Sequence, residues 1–397
     1  MMRTLSTFAA TAFAALALAA CSDSSETTRP AASMVVSANA GSSSPGAVYA
    51  MTNEVTGNRI VAFDRAADGT LTPGGSFATG GTGSGNFEGS SNSLILGEQS
   101  PNNLNGGNHY LYTVNTGSNS ISVFEAKHDG LTLVEVESSG GRAPISLTVR
   151  NKLLYVLNSD GTQCTGGIPS ITGFTIGPKG DLTPIPQSRR PLSAASNSGC
   201  SQVSFTKDGG VLVVTERGAD VISTYVVDRG TGLATGPVTN QTSGNGPFGF
   251  TFTQRGQLLT AENFQGAALQ GGAASYDVSP DGILTPIGPT ARNGRSDTCW
   301  IVNTDNGKYA YVTNAMSGDI SSYSVAPDGT LTLLDPVAGA VGFIAEDMAL
   351  SGNSHYLYAR SFTQGTLSTF EVQEDGSLTP LQVLGGLPPG AVGLAAK

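Results

Sequence analysis

Short hydrophobic segments that end in a polar residue recur along this chain at a spacing of about fifty residues. Each is followed by a second short segment that alternates small and apolar residues and ends in an aromatic one. The first type occurs seven times, at 48–53, 111–115, 154–158, 212–216, 258–262, 310–314 and 357–361. The aromatic positions are Phe63, Phe124, Phe174, Tyr225, Tyr276, Tyr323 and Phe370. Such segments predict β-strands, and the aromatic residues predict a core between packed sheets.

Turn signals and a further strand complete each repeat. Asp-Gly pairs follow the aromatic positions at Asp68, Asp281, Asp328 and Asp375, with degenerate copies near Asp129, Gly180 and Gly232. Asp-Gly between hydrophobic segments is typical of a hairpin. A fourth segment precedes each repeat except the first, at 93–96, 145–149, 202–206, 248–252, 300–304 and 347–351, and one more copy stands at 391–396.

That unmatched last segment predicts how the ring closes. The repeat beginning at Val48 has no strand before it, whereas 391–396 has no repeat after it. Pairing the two removes the open edge. We therefore predict an all-β fold, a seven-bladed β-propeller over residues 46–397 whose C-terminal strand closes the first blade. The 53 Gly, 20 Pro and 13% charged residues agree with many turns and few helices.

The first residues predict export. Arg3 precedes an apolar run at 8–20 that is too short to span a bilayer, and Leu18-Ala19-Ala20-Cys21 resembles a bacterial lipobox. The resemblance implies a signal peptide over 1–20, a lipidated Cys21 and a flexible tether over 21–45. The protein would then be anchored by its lipid in the bacterial cell envelope, in the periplasm or at the outer membrane. An ordinary signal peptide cut nearby is the alternative, and it also predicts export.

Three further cysteines are Cys164, Cys200 and Cys299. Outside the cytoplasm, one disulfide and one free thiol are the simplest arrangement. Cys164 lies in an insertion at 159–169 and Cys200 ends another at 184–199, and both insertions open on the same face. We predict a bond between these two and a small buried side chain at Cys299. Metal-ligand spacing is absent from the sequence, so we expect neither a metal nor a cofactor.

The two faces of the predicted disc differ in their basic residues. We call the side with the Asp-Gly turns the hairpin-turn face and the opposite side the open-loop face. The open-loop face carries only arginines: Arg59, Arg142, Arg189, Arg190, Arg217, Arg292, Arg295 and Arg360. Lysines and other arginines fall on the hairpin-turn face. On the open-loop face, we expect the residues that end the second strands to surround the central channel. These residues are Asn53, Asn115, Asn158, Glu216, Glu262, Asn314 and Ser361.

An arginine-lined channel mouth in a protein of net charge −10 favours a small anionic ligand and argues against nucleic acid. The alternative is structural: these arginines pair with nearby carboxylates such as Asp160, Asp220, Asp297, Glu346 and Asp347. We expect a monomer whose membrane contact is limited to the lipid anchor.

Over about 47–397, the sequence resembles the bacterial seven-bladed lactonase family. The resemblance lies in the strands ending in Asn, the strands ending in Phe or Tyr, the Asp-Gly turns and the segment 200–225. That family includes a 6-phosphogluconolactonase and is similar to carboxy-muconate cyclases. The resemblance implies a hydrolase or cyclase that acts on a small anionic lactone. The matching positions are Glu216, Arg217 and Glu262 as catalytic residues, with Arg142 and Arg295 just before inner strands for binding. The family's Pro-His at the start of an inner strand is replaced here by Ser201-Gln202, so we include Gln202, and also Arg190, among the binding candidates.

Lactone hydrolysis needs a base to activate water and a positive group to hold the oxyanion. Glu216 or Glu262 is the candidate base and Arg217 the candidate cation. Either Glu could instead make the strand-end hydrogen bond that Asn makes in other blades. A second function stays open, a non-enzymatic envelope propeller that binds a protein, a glycan or a small anion.

Overall fold

The structure is a computed structural model that describes residues 46–97, 109–127, 130–194 and 197–397. The predicted signal peptide at 1–20, the lipidated Cys21 and the tether at 21–45 lie outside the described residues. Within the described ranges, no helix has the length and apolar character needed to cross a membrane.

The strands in chain order group into seven blades. Blade 1 contains β1 (Gly46–Met51), β2 (Arg59–Arg65) and β3 (Leu71–Ala78); blade 2 contains β4 (Leu94–Leu96), β5 (His109–Asn115), β6 (Ser120–Lys127) and β7 (Gly130–Ser138); blade 3 contains β8 (Pro144–Arg150), β9 (Leu153–Asn158), β10 (Ser170–Ile176), β11 (Leu182–Pro184) and β12 (Arg190–Pro191). Blade 4 contains β13 (Cys200–Phe205), β14 (Val211–Glu216), β15 (Val221–Val227) and β16 (Ala234–Gln241); blade 5 contains β17 (Pro247–Phe252), β18 (Leu258–Glu262), β19 (Gly272–Val278), β20 (Leu284–Pro286) and β21 (Ala291–Arg292). Blade 6 contains β22 (Thr298–Asn303), β23 (Tyr309–Asn314), β24 (Asp319–Val325) and β25 (Leu331–Ala340); blade 7 contains β26 (Ala345–Leu350), β27 (Tyr356–Ser361), β28 (Thr366–Val372) and β29 (Leu378–Gly385); β30 is Val392–Ala396.

All the sheets are antiparallel, and within a blade each strand pairs with the next one in the sequence, except that β12 and β21 pair with β10 and β19. The C-terminal strand β30 pairs with β1, with Val48 opposite Ala396, so blade 1 has the order β3-β2-β1-β30. The all-β fold, the seven blades and the closing strand are therefore confirmed. In blades 3 and 5 the outer strand is split in two, and each first half ends at a proline, which cannot donate to a ladder.

The core lies between the blades. The second strand of each blade is almost wholly buried because both of its faces contact neighbouring sheets. Tyrosines in several of these strands reach the next blade: Tyr155 donates from its hydroxyl to the carbonyl of Gly232 at 2.7 Å, and Tyr311 to that of Gly376 at 3.0 Å. Both glycines stand in hairpin turns with positive φ. The repeated tyrosine and the repeated Asp-Gly turn thus bond adjacent blades.

One long connection crosses the end of the central channel on the open-loop face. We call residues 80–93, between β3 and β4, the crossing loop. Its backbone carbonyl at Ser90 accepts a hydrogen bond from the indole of Trp300 in blade 6 at 3.0 Å. Its Ser91 N–H donates to the carbonyl of Ser201 in blade 4 at 3.0 Å. Phe87 packs edge-on against Phe362, just after β27 of blade 7. A segment that contacts blades 4, 6 and 7 covers the channel mouth.

Candidate active site

The strand-end residues expected at the channel mouth are instead buried between blades. Each has an exposed fraction of 1% or less. Asn158, for example, donates from its amide to the carbonyl of Ser139 in the connection that arrives from the preceding blade. The expectation that these side chains ring an open channel is wrong, because in several blades the strand end points toward the incoming connection, where its polar group satisfies buried backbone groups.

Glu216 follows this arrangement closely. One carboxylate oxygen accepts a hydrogen bond from the N–H of Ser193 at 3.1 Å and another from the hydroxyl of Ser223. The other oxygen accepts from the N–H of Ala194 at 3.2 Å. The side chain is fully buried. These contacts match the structural alternative, in which the residue at the strand end hydrogen-bonds the incoming connection. A catalytic role for Glu216 stays a prediction.

Glu262 occupies the equivalent place in blade 5. Its carboxylate accepts from the N–H of Gly244 at 3.0 Å and from the hydroxyls of Tyr276 at 3.3 Å and Thr290 at 2.6 Å. Burial raises the pKa of Glu262, and these donors oppose that rise. Its catalytic role also stays a prediction.

A cavity of about 450 Å³ opens on the open-loop face between blades 3 and 6. Connections from four blades form its wall: Gln163 and Thr165 after β9, Asn197 and Gly199 before β13, Arg217 and Gly218 after β14, Asn263, Gln265 and Gly266 after β18, and Asp297 before β22. Among the residues predicted from the sequence, this cavity contains Arg217.

Backbone conformation concentrates unusual geometry at the rim of this cavity. Gln163, Asn197, Gln265 and Asp297 all have φ between 49° and 59°. Non-glycine residues seldom adopt this left-handed region. At Asp297 it belongs to the propeller repeat, because Ala143 and Ile344 have the same conformation directly before the inner strands of their blades.

Arg217 projects from a short 3₁₀ turn, Arg217–Ala219, directly after β14. Its guanidinium lies 5.6 Å from the centre of the buried Phe248 ring and contacts the Gln163 amide oxygen at 3.5 Å. Among the described residues it forms no ion pair with a carboxylate. A cation with only neutral partners at a cavity wall is suited to bind an anion.

Asp297 supplies the carboxylate of the same cavity. Its Oδ1 accepts hydrogen bonds from the amide of Asn263 at 3.1 Å and from the thiol of Cys299 at 3.3 Å. The sequence offered Asp297 as a structural partner for an arginine. Its place at the cavity wall depends on its left-handed backbone and on the bulge that follows it, and sequence pattern alone does not reveal either.

The remaining predicted binding residues lie apart from the cavity wall. Arg142 is exposed, and its Nε lies 3.8 Å from the Asp160 carboxylate. Arg295 is paired with Asp319. Arg190 donates from Nε to the carbonyl of Ala234 at 2.8 Å, next to the outer strand of blade 4. Their binding roles stay predictions.

Gln202 is buried in the inner strand of blade 4. Its amide exchanges two hydrogen bonds of 2.8 Å with the backbone of Phe250 in blade 5. The side chain therefore continues the ladder between adjacent blades, and its role in binding stays a prediction.

The cysteines brace the cavity. Cys164 and Cys200, the pair offered by the sequence, are joined by a disulfide with their Cα atoms 5.5 Å apart. Gln163 and Thr165 flank one cysteine and Gly199 precedes the other, so the bond ties two parts of the wall together. Cys299 is buried, with 2% of its surface exposed. Burial and the neighbouring Asp297 charge raise the pKa of its thiol.

Arg360 was expected among the arginines of the open-loop face, and this expectation is wrong. It is buried in β27 and contacts the carboxylates of Glu346 and Asp347 in the inner strand beside it. The structural alternative therefore holds for this arginine. Burial raises the pKa of Glu346 to about 8, against the opposing effect of Arg360.

These features define a closed propeller with a polar cavity on one face, whose wall contains the cation Arg217 and the carboxylate Asp297. By sequence comparison, the chain belongs to the lactonase, 7-bladed beta-propeller family, which it matches over residues 170–271 and 276–391. A search of curated proteins returns no match.

Solved structures share the fold. A Bacteroides uniformis protein provisionally named a 6-phosphogluconolactonase has a TM-score of 0.68 at 18% identity, covering 87% of this chain and 98% of that one. A Bacteroides fragilis protein with the same provisional name has a TM-score of 0.61 at 19% identity, covering 90% and 99%. The periplasmic gluconolactonase PpgL of Pseudomonas aeruginosa has a TM-score of 0.64 at 15% identity, covering 87% and 98%.

Proposed function

We propose that this protein hydrolyses a small anionic lactone in the cavity between blades 3 and 6. The observation that carries the proposal is the presence, in one cavity, of Arg217 without a carboxylate partner among the described residues and of the Asp297 carboxylate. Membership of the lactonase family and the names of the similar structures support the reaction class.

In this mechanism Asp297 is the base. It accepts a proton from a water molecule, and the resulting hydroxide attacks the carbonyl carbon of the lactone. Arg217 binds the carbonyl oxygen as it becomes an oxyanion. The intermediate then collapses, the ring C–O bond breaks, and the leaving alkoxide takes back the proton from Asp297. The product is an open hydroxy acid, whose carboxyl group releases its proton to solvent, and the carboxylate stays beside Arg217 until the product leaves.

We choose Asp297 over Glu216 and Glu262 because its carboxylate is accessible from the cavity. Both glutamates are fully buried and hydrogen-bonded, whereas Asp297 lines the cavity. A base must reach the water that it activates, so a buried and occupied carboxylate is the weaker candidate.

The test is turnover of a panel of sugar-acid and other anionic lactones, followed by acid release at constant pH. We expect hydrolysis by the wild type and a loss of about 10²-fold to 10³-fold in kcat for Arg217→Ala. Arg59→Ala is the matched control, because Arg59 lies on the same face but bonds Ser76 in blade 1, away from the cavity. An absence of turnover across the panel, together with specific capture of an envelope component, would favour the binding function instead.

A further inference from the structure

The backbone at the start of β22 is irregular next to the cavity. The pairing of β22 with β23 shifts between Thr298 and Trp300, so Cys299 is an extra residue in a β-bulge. An equivalent bulge occurs at the start of β8, β13, β17 and β26, so it belongs to the repeat. Bulges redirect the side chains beside them. Here the bulge, together with the left-handed Asp297, brings the thiol of Cys299 to within 3.3 Å of the Asp297 carboxylate.

Asn263 approaches the same carboxylate oxygen from blade 5. Its Nδ2 donates to Asp297 Oδ1 at 3.1 Å, while its own Oδ1 accepts from the N–H of Gln265 at 3.0 Å. Its backbone N–H donates to Gly246 at 3.0 Å, and its side chain is buried. Asn263 is therefore fixed at both ends. Within the described ranges, its amide and the thiol are the two side-chain donors to Oδ1 of Asp297.

We infer that Cys299 and Asn263 are positioning residues, which hold Oδ1 of Asp297 so that Oδ2 is directed to the water in the cavity. The inference rests on the proposed function, since it assigns work to the base of that reaction. Among the described residues, no side chain donates a hydrogen bond to Oδ2 of Asp297. A carboxylate with one oxygen fixed and the other open has a defined direction for proton transfer.

The thiol acts here as a donor and not as a nucleophile. Burial and the Asp297 charge raise its pKa, so the sulfur keeps its proton at neutral pH. The charged groups around the pair come from the connection between β14 and β15: Arg217, whose charge acts on the thiol, and Asp220, which accepts from the Gln265 amide at 2.8 Å.

Two substitutions at one position test the inference by activity. Cys299→Ala removes the donor. We expect kcat to fall while KM changes little, because the base is misdirected and the substrate contacts remain. Cys299→Ser keeps a donor and is expected to restore the wild-type kcat. An alanine variant with the wild-type kcat would overturn the inference.

A second measurement needs no lactone. The rate of alkylation of Cys299, followed by mass spectrometry of its peptide across a pH series, gives the pKa of the thiol. Asp297→Asn removes the neighbouring charge, so we expect this pKa to fall. An unchanged pKa would show that the two groups are not in contact and would contradict the inference. If the wild type turns over no lactone, the proposed function fails while this measurement still decides the contact.

Discussion

The hydroxyl of Tyr358 in the last blade donates a hydrogen bond of 3.1 Å to the carbonyl oxygen of Gly69 in the first blade. It repeats the bonds that Tyr155 and Tyr311 make to the turns of their next blades, and it does so across the seam of the ring. The closure therefore depends on the repeated bond between tyrosine and turn as well as on the pairing of β30 with β1.

We expect Tyr358→Phe to lower the free energy of unfolding by about 0.5 to 1.5 kcal/mol, because the Gly69 carbonyl loses a buried donor. Urea unfolding measures the change. Tyr112→Phe is the matched control, since Tyr112 stands in the second strand of blade 2 and its hydroxyl makes no hydrogen bond within the described ranges. Equal effects of the two substitutions would contradict the closing role of Tyr358.

The disulfide predicts a redox dependence of the cavity. Reducing Cys164–Cys200, or replacing both with Ser, should lower stability by about 3 to 4 kcal/mol in the loop-entropy description. Because Gln163 and Gly199 sit beside the two cysteines, we also expect weaker binding of product acids. Calorimetry with and without a reductant measures both effects. Unchanged binding by the reduced protein would show that the wall holds its shape without the bond.

The buried carboxylates of blade 7 predict a pH dependence of stability. Burial raises the pKa of Glu346 to about 8 in the folded protein, above the ordinary 4.5. A raised carboxyl pKa means that the folded protein binds the extra proton between these two values. The contribution of this group to stability is therefore complete below pH 4.5 and is lost as the pH rises toward 8, by up to about 1.4 kcal/mol per pH unit.

Glu346→Gln removes that titration, because the amide stays neutral. Urea unfolding at several pH values between 5 and 8 should show a smaller decline with pH in this variant than in the wild type. Asp347 shares Arg360, and burial raises its pKa as well, so we expect part of the decline with pH to remain in the variant. An equal decline of the free energy of unfolding with pH in the two proteins would contradict the assignment of this titration to Glu346.

The single tryptophan reports on the crossing loop. Trp300 is buried and its indole N–H bonds the Ser90 carbonyl. We expect Phe87→Ala to loosen the loop, since it removes the contact with Phe362, and to shift tryptophan emission to longer wavelength. Leu269→Ala, at an exposed position of the same face in the connection between β18 and β19, is the control. An unshifted spectrum would show that the loop holds its place without Phe87.

Sequence periodicity predicted the strands, the seven blades and the closing strand because each blade repeats the same buried positions. The candidate site was less accessible from sequence. Arg217 follows a regular strand and was found. Asp297 has a positive φ before a bulge, and Ala143 and Ile344 stand at the same place in other blades, but the residue types differ and so the sequence does not mark the position. Glu216 and Glu262 stand out in the sequence because Asn occupies the same position in other blades. At this buried strand end, however, either side chain accepts hydrogen bonds from the neighbouring groups. The crossing loop could not be foreseen, because its partners lie in distant blades.

The proposed reaction depends most on which carboxylate serves as its base. Measuring kcat/KM on one hydrolysed lactone for Asp297→Asn, Glu216→Gln and Glu262→Gln, each checked for folding by circular dichroism, compares the assignments directly. We predict a loss of about 10²-fold to 10⁴-fold for Asp297→Asn and small losses for the two folded glutamine variants. Full activity of Asp297→Asn, with loss in either glutamine variant, would contradict the account.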